Sequence, residues 1–482
     1  MTEGAALNAA AIRILGALPG SITLPAGTGK TELVAAVVAE VAAGGGNVLV
    51  LTHTHAGVDA LRRRMAKFSV SKEHFSVRTI DAWCFDLIQH FPLLAGLAVP
   101  SDPDWTYAQA YHIAATRAVD SEIVRRMLTV SYDLIIVDEY QDCLIDQHRL
   151  VAGFTGVLPT LVLGDPLQGL FNFGGQQPVD WKNDVLDCFP EVSIASYPWR
   201  WHDHNPRLGN WLLSIRKTLA DGNPIDLAGS PIQWRRMPSE GQFKVREQAA
   251  ACFRSPQEGS TVALGQFRHD ILSPAQQLNG SYSVMEALDS SVTEKFCQLV
   301  DSGTAPEVAA GAVEFAVNCA TGIATHLDST KRRRLATGKA IVTRTTDRQK
   351  TYAAINRLLS GPTPRSVHAA LDAIMGLPNV KIYCREAWSE VIHALQFAAL
   401  DAELSVTRAL MQVRNGARAR GRRPARRVLS RPLLVKGLEY DHAILLDADK
   451  CNAQELYVAL TRGSKSVTVV SRSSVLSPTT AV

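Results

Sequence analysis

Apolar residues along this chain gather into short unbroken runs that stop abruptly at polar or acidic positions. Leu134-Ile-Ile-Val137 ends at Asp138 and Glu139, Val48-Leu-Val-Leu-Thr52 ends at His53, and Thr160-Leu-Val-Leu-Gly164 ends at Asp165. Runs this short, rich in branched residues and apolar at consecutive positions, predict strands buried on both faces. Helix-patterned segments alternate with them, among them 32–40 and the start of a basic helix at 60–65, so the pattern predicts an α/β fold with parallel sheets. Further strands are expected at 192–201, 339–344, 442–447 and 466–471. Between 85 and 130 the alternation gives way to helical spacing with Trp105, Tyr107 and Tyr111, and 347–412 reads as mostly helical.

The strand ends carry the candidate chemistry. Open α/β sheets place ligands outside the carboxyl ends of their strands, where one carboxylate of the Asp138–Glu139 pair can hold a divalent cation while the other orients or deprotonates water. Read alone, the pair is equally a buried strand with a solvated acidic tip. Upstream, Pro25-Ala-Gly-Thr-Gly-Lys-Thr31 separates an apolar run from a helix. Gly27 and Gly29 allow consecutive amides, with those of Ala26 and Thr28, to turn toward a phosphate at a helix N-terminus. Lys30 can reach the outer phosphates and Thr31 can ligate Mg²⁺. Leu24 stands where the strict pattern has Gly.

Composition narrows the class without changing it. The 482 residues exceed what one core organises, and 46% apolar with 20% charged residues is a globular balance. Lys plus Arg at 50 against Asp plus Glu at 46 gives a net charge of +4, so the distribution of charge matters more than its sum. The eight cysteines are scattered without metal or redox spacing, and no apolar stretch is long enough to span a membrane. A cytoplasmic protein with reduced thiols and no membrane partner is expected.

Three features stay open on the residues alone. Thr52-His-Thr-His55 ahead of the basic helix could hold a phosphodiester backbone, or its hydroxyls could cap that helix. Phe171 and Phe173 could be core rings or platforms for nucleobases. Arg414, Arg418, Arg420, Arg422, Arg423, Arg426, Arg427 and Arg431 crowd one Gly/Pro-containing segment, expected to be a mobile loop that either is merely solvated or binds phosphates.

In order along the chain stand Ala-Gly-Thr-Gly-Lys-Thr31, Thr-His-Thr-His55, Arg-Thr-Ile-Asp-Ala-Trp-Cys84, Asp-Glu-Tyr-Gln-Asp142, Gly-Asp-Pro-Leu-Gln168, Trp-Arg-Trp201, Lys-Gly-Leu-Glu-Tyr-Asp441 and Val-Ala-Leu-Thr-Arg462. The set resembles the UvrD/Rep family of superfamily 1 helicases. The resemblance implies two RecA-like P-loop NTPase domains, parallel sheets with flanking helices, that use ATP and Mg²⁺ to move along single-stranded or tailed duplex DNA, usually 3′ to 5′. It places the first motor domain at 1–84 and 131–198 and the second at 199–346 and 426–482, with reduced helical insertions at 85–130 and 347–425. Lys30, Asp138, Glu139, Gln168, Arg200 and Arg462 would be catalytic, with Thr31 and Asp138 on the metal. Trp199 would stack on adenine, while Gly437 and Glu439 would reach the nucleotide from the second domain. Thr52, His53, Thr79, Phe171 and Phe173, with Arg422 and Arg423 added from composition, would contact DNA. Departures are Ala11 where the family's adenine-reading Gln falls, Glu32 in place of Arg, and Arg431 and Leu433 ahead of Lys-Gly-Leu-Glu. The compact outline is similar to the small UvrD-like subunits of bacterial anti-phage systems such as Gabija, which work with an OLD-type ATPase–nuclease. A DNA-sensing ATPase switch acting on such a partner is the alternative to a processive helicase.

Overall fold

A computed structural model describes residues 3–101, 103–170, 177–238, 241–285, 291–420 and 425–479. Phe171, Phe173, Arg422 and Arg423 lie outside the described residues. Residues 1–225 with 452–465 form one compact unit, and 226–451 with 466–479 form another.

The first unit is built on five strands: β1 (Gly20–Thr23), β2 (Val48–Thr52), β3 (Phe75–Thr79), β4 (Leu134–Val137) and β5 (Thr160–Gly164). They pair in parallel in the order β1-β5-β4-β2-β3. Successive strand residues point to opposite faces, so each apolar run feeds two cores. Val48, Val50, Leu134, Ile136, Leu161 and Leu163 pack on one side with Ala11 and Ile14 of α1 (Glu3–Leu15), Leu33–Val38 of α2 (Lys30–Ala43) and Leu61 of α3 (His55–Lys67). Leu49, Leu51, Ile135, Val137 and Val162 pack on the other side with Trp83, Cys84 and Ile88 of α4 (Ile80–His90). The helices at 85–130 join this second core through Tyr111, Ala115, Val119, Val124 and Leu128.

In the second unit the strand order is Gln233–Arg236, Gly463–Ser471, Tyr440–Leu445, Thr261–Leu264, Arg427–Ser430, Ser283–Val284. Val262 sits between Ala443 and Val428 in parallel register. The helices of 291–420 share one core with this sheet. Phe296 stacks on Phe315 at 4.7 Å, and Phe315 on Trp388 at 5.7 Å. An α/β fold with parallel sheets and flanking helices, expected from the sequence, is what both units have.

Two expected strands do not form. At 192–201 only a single parallel bridge joins Glu191 to Ser21, with Val192 N–H donating to the Ser21 carbonyl at 2.8 Å, after which the chain runs without regular structure into the helix Trp199–His202. At 339–344 Ile341 is buried but Val342 is 79% exposed. The amide of Asn356 accepts from Ile341 N–H at 2.9 Å and donates to its carbonyl at 2.7 Å, standing in for a neighbouring strand. Short apolar runs do not by themselves say whether a sheet edge is available to pair with.

The arginine segment is a second correction. It is not one loop: Arg414, Arg418 and Arg420 belong to the helix Val406–Arg420, and Arg427 opens the strand Arg427–Ser430. The helix runs through Gly416, whose cost of about 1 kcal/mol against Ala is small beside the burial of Val406, Ala409 and Leu410. Arg414 is 3% exposed, pairs with Glu390 at 3.3 Å and donates to Thr293 Oγ1 at 2.6 Å. Arg426 donates to the carbonyls of Gln257 and Gly259, and Arg427 to that of Pro256 while lying 5.4 Å from the Tyr282 ring centre. These three guanidinium groups fasten the fold. Arg414→Met removes a buried guanidinium from its bonds to Glu390 and Thr293, and we expect a loss of about 3 kcal/mol, read as a lower midpoint in urea unfolding with unchanged slope.

All eight cysteines are free thiols, seven of them buried and Cys188 half-buried. Burial pushes Cys252 and Cys297 up to about 12, and Cys84 and Cys143 well above the ordinary thiol value.

Candidate active site

At the carboxyl edge of the first sheet, β1 and β4 lie one strand apart, so the phosphate-loop turn and the acidic strand end face the same space. Leu24 continues β1 by donating to the Gly164 carbonyl at 3.0 Å, and the chain then turns through Pro25 to Gly29 into α2. Gly27 (φ +70°) and Gly29 (φ +90°) take left-handed backbone that side-chain-bearing residues adopt at a cost. A Cβ on Gly27 would lie 2.7 Å from the Trp201 ring, and one on Gly29 3.1 Å from Trp199, so the loop requires glycine for space as well. Thr28 closes the turn, its hydroxyl donating to the Pro25 carbonyl at 2.7 Å. Trp201, fully buried, donates from its indole N–H to the Gly463 carbonyl at 2.8 Å. Trp199 is 37% exposed beside Tyr197, ring centres 4.3 Å apart.

β4 delivers Asp138 almost fully buried, and Glu139 follows at φ +57°. A positive φ at a glutamate is uncommon, and here it accompanies the side chain's approach to the loop. Glu139 Oε2 lies 2.8 Å from Lys30 Nζ and accepts from Gln141 Nε2 at 2.6 Å, while Asp138 Oδ1 is 3.7 Å from Nζ. Burial alone would lower the Lys30 ammonium, but Glu139 and Asp138 outweigh it and hold the group above its ordinary value. Burial pushes Asp138 up, to about 6, against the opposing pull of Lys30. A buried carboxylate driven toward protonation fits a cation ligand, because a divalent ion takes the place of the proton and reverses that tendency. Thr31, the hydroxyl that follows Lys30 at the start of α2, is the second expected ligand of Mg²⁺.

β5 ends at Asp165, whose carboxylate is inaccessible to solvent. It receives the Arg216 guanidinium on both oxygens (2.5 and 3.0 Å), the Ala26 N–H at 3.1 Å and Gln168 Nε2 at 2.9 Å. Gln168 Oε1 in turn accepts from Arg462 Nη2 at 3.3 Å. Arg462, 1% exposed, lies just beyond the helix Ala453–Leu460 and also donates from Nε to the Val458 carbonyl. Arg200 donates from Nη1 to the Thr461 carbonyl at 2.7 Å and from its backbone N–H to the Gly27 carbonyl. The first unit therefore brings Lys30, Asp138, Glu139, Gln168, Arg200, Arg462 and the phosphate loop into one bonded neighbourhood.

Thr52 and Thr79 are aligned on adjacent strands at the same carboxyl edge. Thr79 Oγ1 accepts from Ala82 N–H and caps α4, and Thr54 caps α3 through Gly57 N–H. His53 Nε2 sits 3.5 Å from Cys143 Sγ. Gly437 (φ +77°) and Glu439 precede the strand Tyr440–Leu445 of the second unit.

Sequence reasoning missed Arg216 and Tyr457 and gave no role to Gln141. Arg216 opens a short helix, Arg216–Ala220, in a stretch without motifs. Tyr457 accepts from Arg216 Nη1 at 2.8 Å and from Ala26 N–H at 3.2 Å. Gln141 Oε1 accepts from Asp165 N–H at 2.9 Å, tying the two acidic strand ends together.

The sequence profile of the family described as an AAA domain matches residues 8–173, which hold the phosphate loop, both acidic strand ends and Gln168. Among solved structures, the Pif1 helicase from Candida albicans is similar at 12% identity and a TM-score of 0.42, over 98% of this chain and 94% of that one. No curated protein matches the chain in sequence. Among the described residues no helix is long and apolar enough to cross a membrane.

Proposed function

We propose that the chain is an ATP-hydrolysing translocase or helicase of the UvrD/Rep type, acting 3′ to 5′ on single-stranded or tailed duplex DNA. The observation that supports this most is the convergence, within one compact unit, of Lys30 on Glu139 (2.8 Å) and of Arg462 on Gln168 (3.3 Å) around a glycine-dependent loop at a helix N-terminus. Loop amides and Lys30 take the phosphates. Mg²⁺, held by Thr31 and Asp138, would neutralise charge on them. A phosphate oxygen on Lys30 competes with Glu139 for the ammonium, which frees the glutamate to orient and deprotonate water. Gln168, Arg200 and Arg462 serve the transferred phosphoryl group, and Trp199 offers a face to the base. Thr52 and Thr79 are buried and the Thr79 hydroxyl caps α4, so the carboxyl edge where their strands end, not those hydroxyls, is the side offered to a DNA backbone.

A second reading, a DNA-sensing ATPase subunit of an anti-phage complex that regulates an OLD-type nuclease, draws support from compactness. The helices of 85–130 and 347–412 are absorbed into the cores of the two units. Strand displacement on duplexes with 3′ or 5′ tails separates the readings. Unwinding of the 3′-tailed duplex alone, dependent on ATP, is expected for the helicase. DNA-stimulated hydrolysis with no strand released would favour the switch.

A further inference from the structure

We infer that Arg216 is a positioning residue that sets the phosphate loop and Gln168 together, acting through the carboxylate of Asp165 and the hydroxyl of Tyr457. The inference rests on the reading of the site as an ATPase, and two of its residues, Arg216 and Tyr457, lie beyond the 8–173 match.

Five donors converge on Asp165. Arg216 supplies two, at 2.5 Å on Oδ1 and 3.0 Å on Oδ2; Ala26 N–H and Gln168 Nε2 reach Oδ2 at 3.1 and 2.9 Å; Leu167 N–H reaches Oδ1 at 3.2 Å. A carboxylate offers about four lone-pair sites, so this one is saturated and its orientation is fixed. Tyr457 adds a second tie: its oxygen accepts from Arg216 Nη1 and from Ala26 N–H, and its ring centre lies 5.2 Å from the guanidinium carbon. Arg216 is thus held by a carboxylate, a phenol oxygen and an aromatic face at once.

Two consequences follow for the site. The Ala26 N–H is committed to Asp165 and Tyr457 and the Thr28 N–H to the Pro25 carbonyl at 3.3 Å, which pins the entry to the phosphate loop. The amide nitrogen of Gln168 is committed to the same carboxylate, which turns its oxygen toward Arg462. One buried carboxylate therefore fixes both the loop that binds phosphate and the pair that meets the terminal phosphoryl group. Arg216 also neutralises a charge that would otherwise oppose an anionic ligand. Lysine cannot reproduce the arrangement, because a point ammonium lacks the planar fork that engages both oxygens.

The two ties separate kinetically. Tyr457→Phe removes the phenol oxygen from Ala26 N–H and from Arg216 Nη1 alike and leaves the tie through Asp165 in place, so nucleotide affinity should fall about 10-fold, with kcat nearly unchanged. Arg216→Met is expected to disturb folding by stranding Asp165, so the decisive variant is the double replacement Asp165→Asn with Arg216→Met, which removes both charges. It should melt near the wild-type temperature yet lose about 10- to 100-fold in kcat, because Gln168 is no longer aimed. Arg216→Lys should fall between. Steady-state ATPase in the presence of oligo(dT), binding of a fluorescent ADP analogue and thermal melting supply the three readouts. A double variant that recovers both wild-type kcat and wild-type ADP affinity would reduce Arg216 to a charge partner and overturn the inference. So would a Tyr457→Phe variant with unchanged affinity. A wild-type chain that binds ADP without hydrolysing ATP would count against the ATPase reading alone, and the affinity measurements would still decide this one.

Discussion

Glu139→Gln is expected to lower ATP turnover by roughly 10²- to 10⁴-fold, the range that separates a positioned general base from none, while nucleotide binding is retained or strengthened. The second half of this expectation comes from the ion pair. Glu139 occupies Lys30 at 2.8 Å, so a phosphate must displace a carboxylate to reach the ammonium. The neutral amide removes that competitor. It also keeps an oxygen for the donor of Gln141, so the strand end should hold its shape. Single-turnover hydrolysis and equilibrium binding of ATP with Mg²⁺ separate the two effects. Turnover at the wild-type rate would remove Glu139 as the base and direct attention to Asp142 or to water held by Gln141.

Arg462→Ala is expected to cost about 10³-fold or more in turnover, on the scale of losing an arginine that stabilises transition-state charge. The mutation has a structural component as well, since Arg462 is almost fully buried and donates to Val458, Thr461 and Gln168. Arg462→Lys controls for it: the ammonium preserves charge and part of the volume but not the fork. Turnover close to wild type in the lysine variant would mean that charge alone suffices. A melting temperature unchanged in the alanine variant together with lost turnover would isolate the chemical contribution.

The strand ends were legible because two local signals coincide there, an apolar run long enough to be buried on both faces and a polar residue at its end. Asp138 and Glu139 are read that way, and Lys30 from the glycine-bearing turn ahead of a helix, from positions that need no knowledge of the fold, whereas Gln168 comes with the resemblance. Arg216 was not legible for the opposite reason. Its partners Asp165 and Tyr457 stand 51 and 241 positions away, and nothing around it departs from an ordinary amphipathic helix. The same blindness to distant partners produced the expected strand at 339–344, where the groups that satisfy Ile341 belong to the side chain of Asn356. In the arginine segment local cues misled outright. Gly416 suggested a break, whereas Glu390 and Thr293, remote in sequence, anchor Arg414 and carry the helix through.

The burial of the thiols has a practical consequence for following this protein in motion. Maleimide dyes react with exposed thiolates, and a cysteine that is both covered and held protonated is a poor substrate for them. With seven of the eight native cysteines buried, only Cys188 competes for label. Replacing that one residue by serine should leave a nearly silent background, on which a single cysteine introduced at the exposed Ser71 would carry a fluorophore without rebuilding the core.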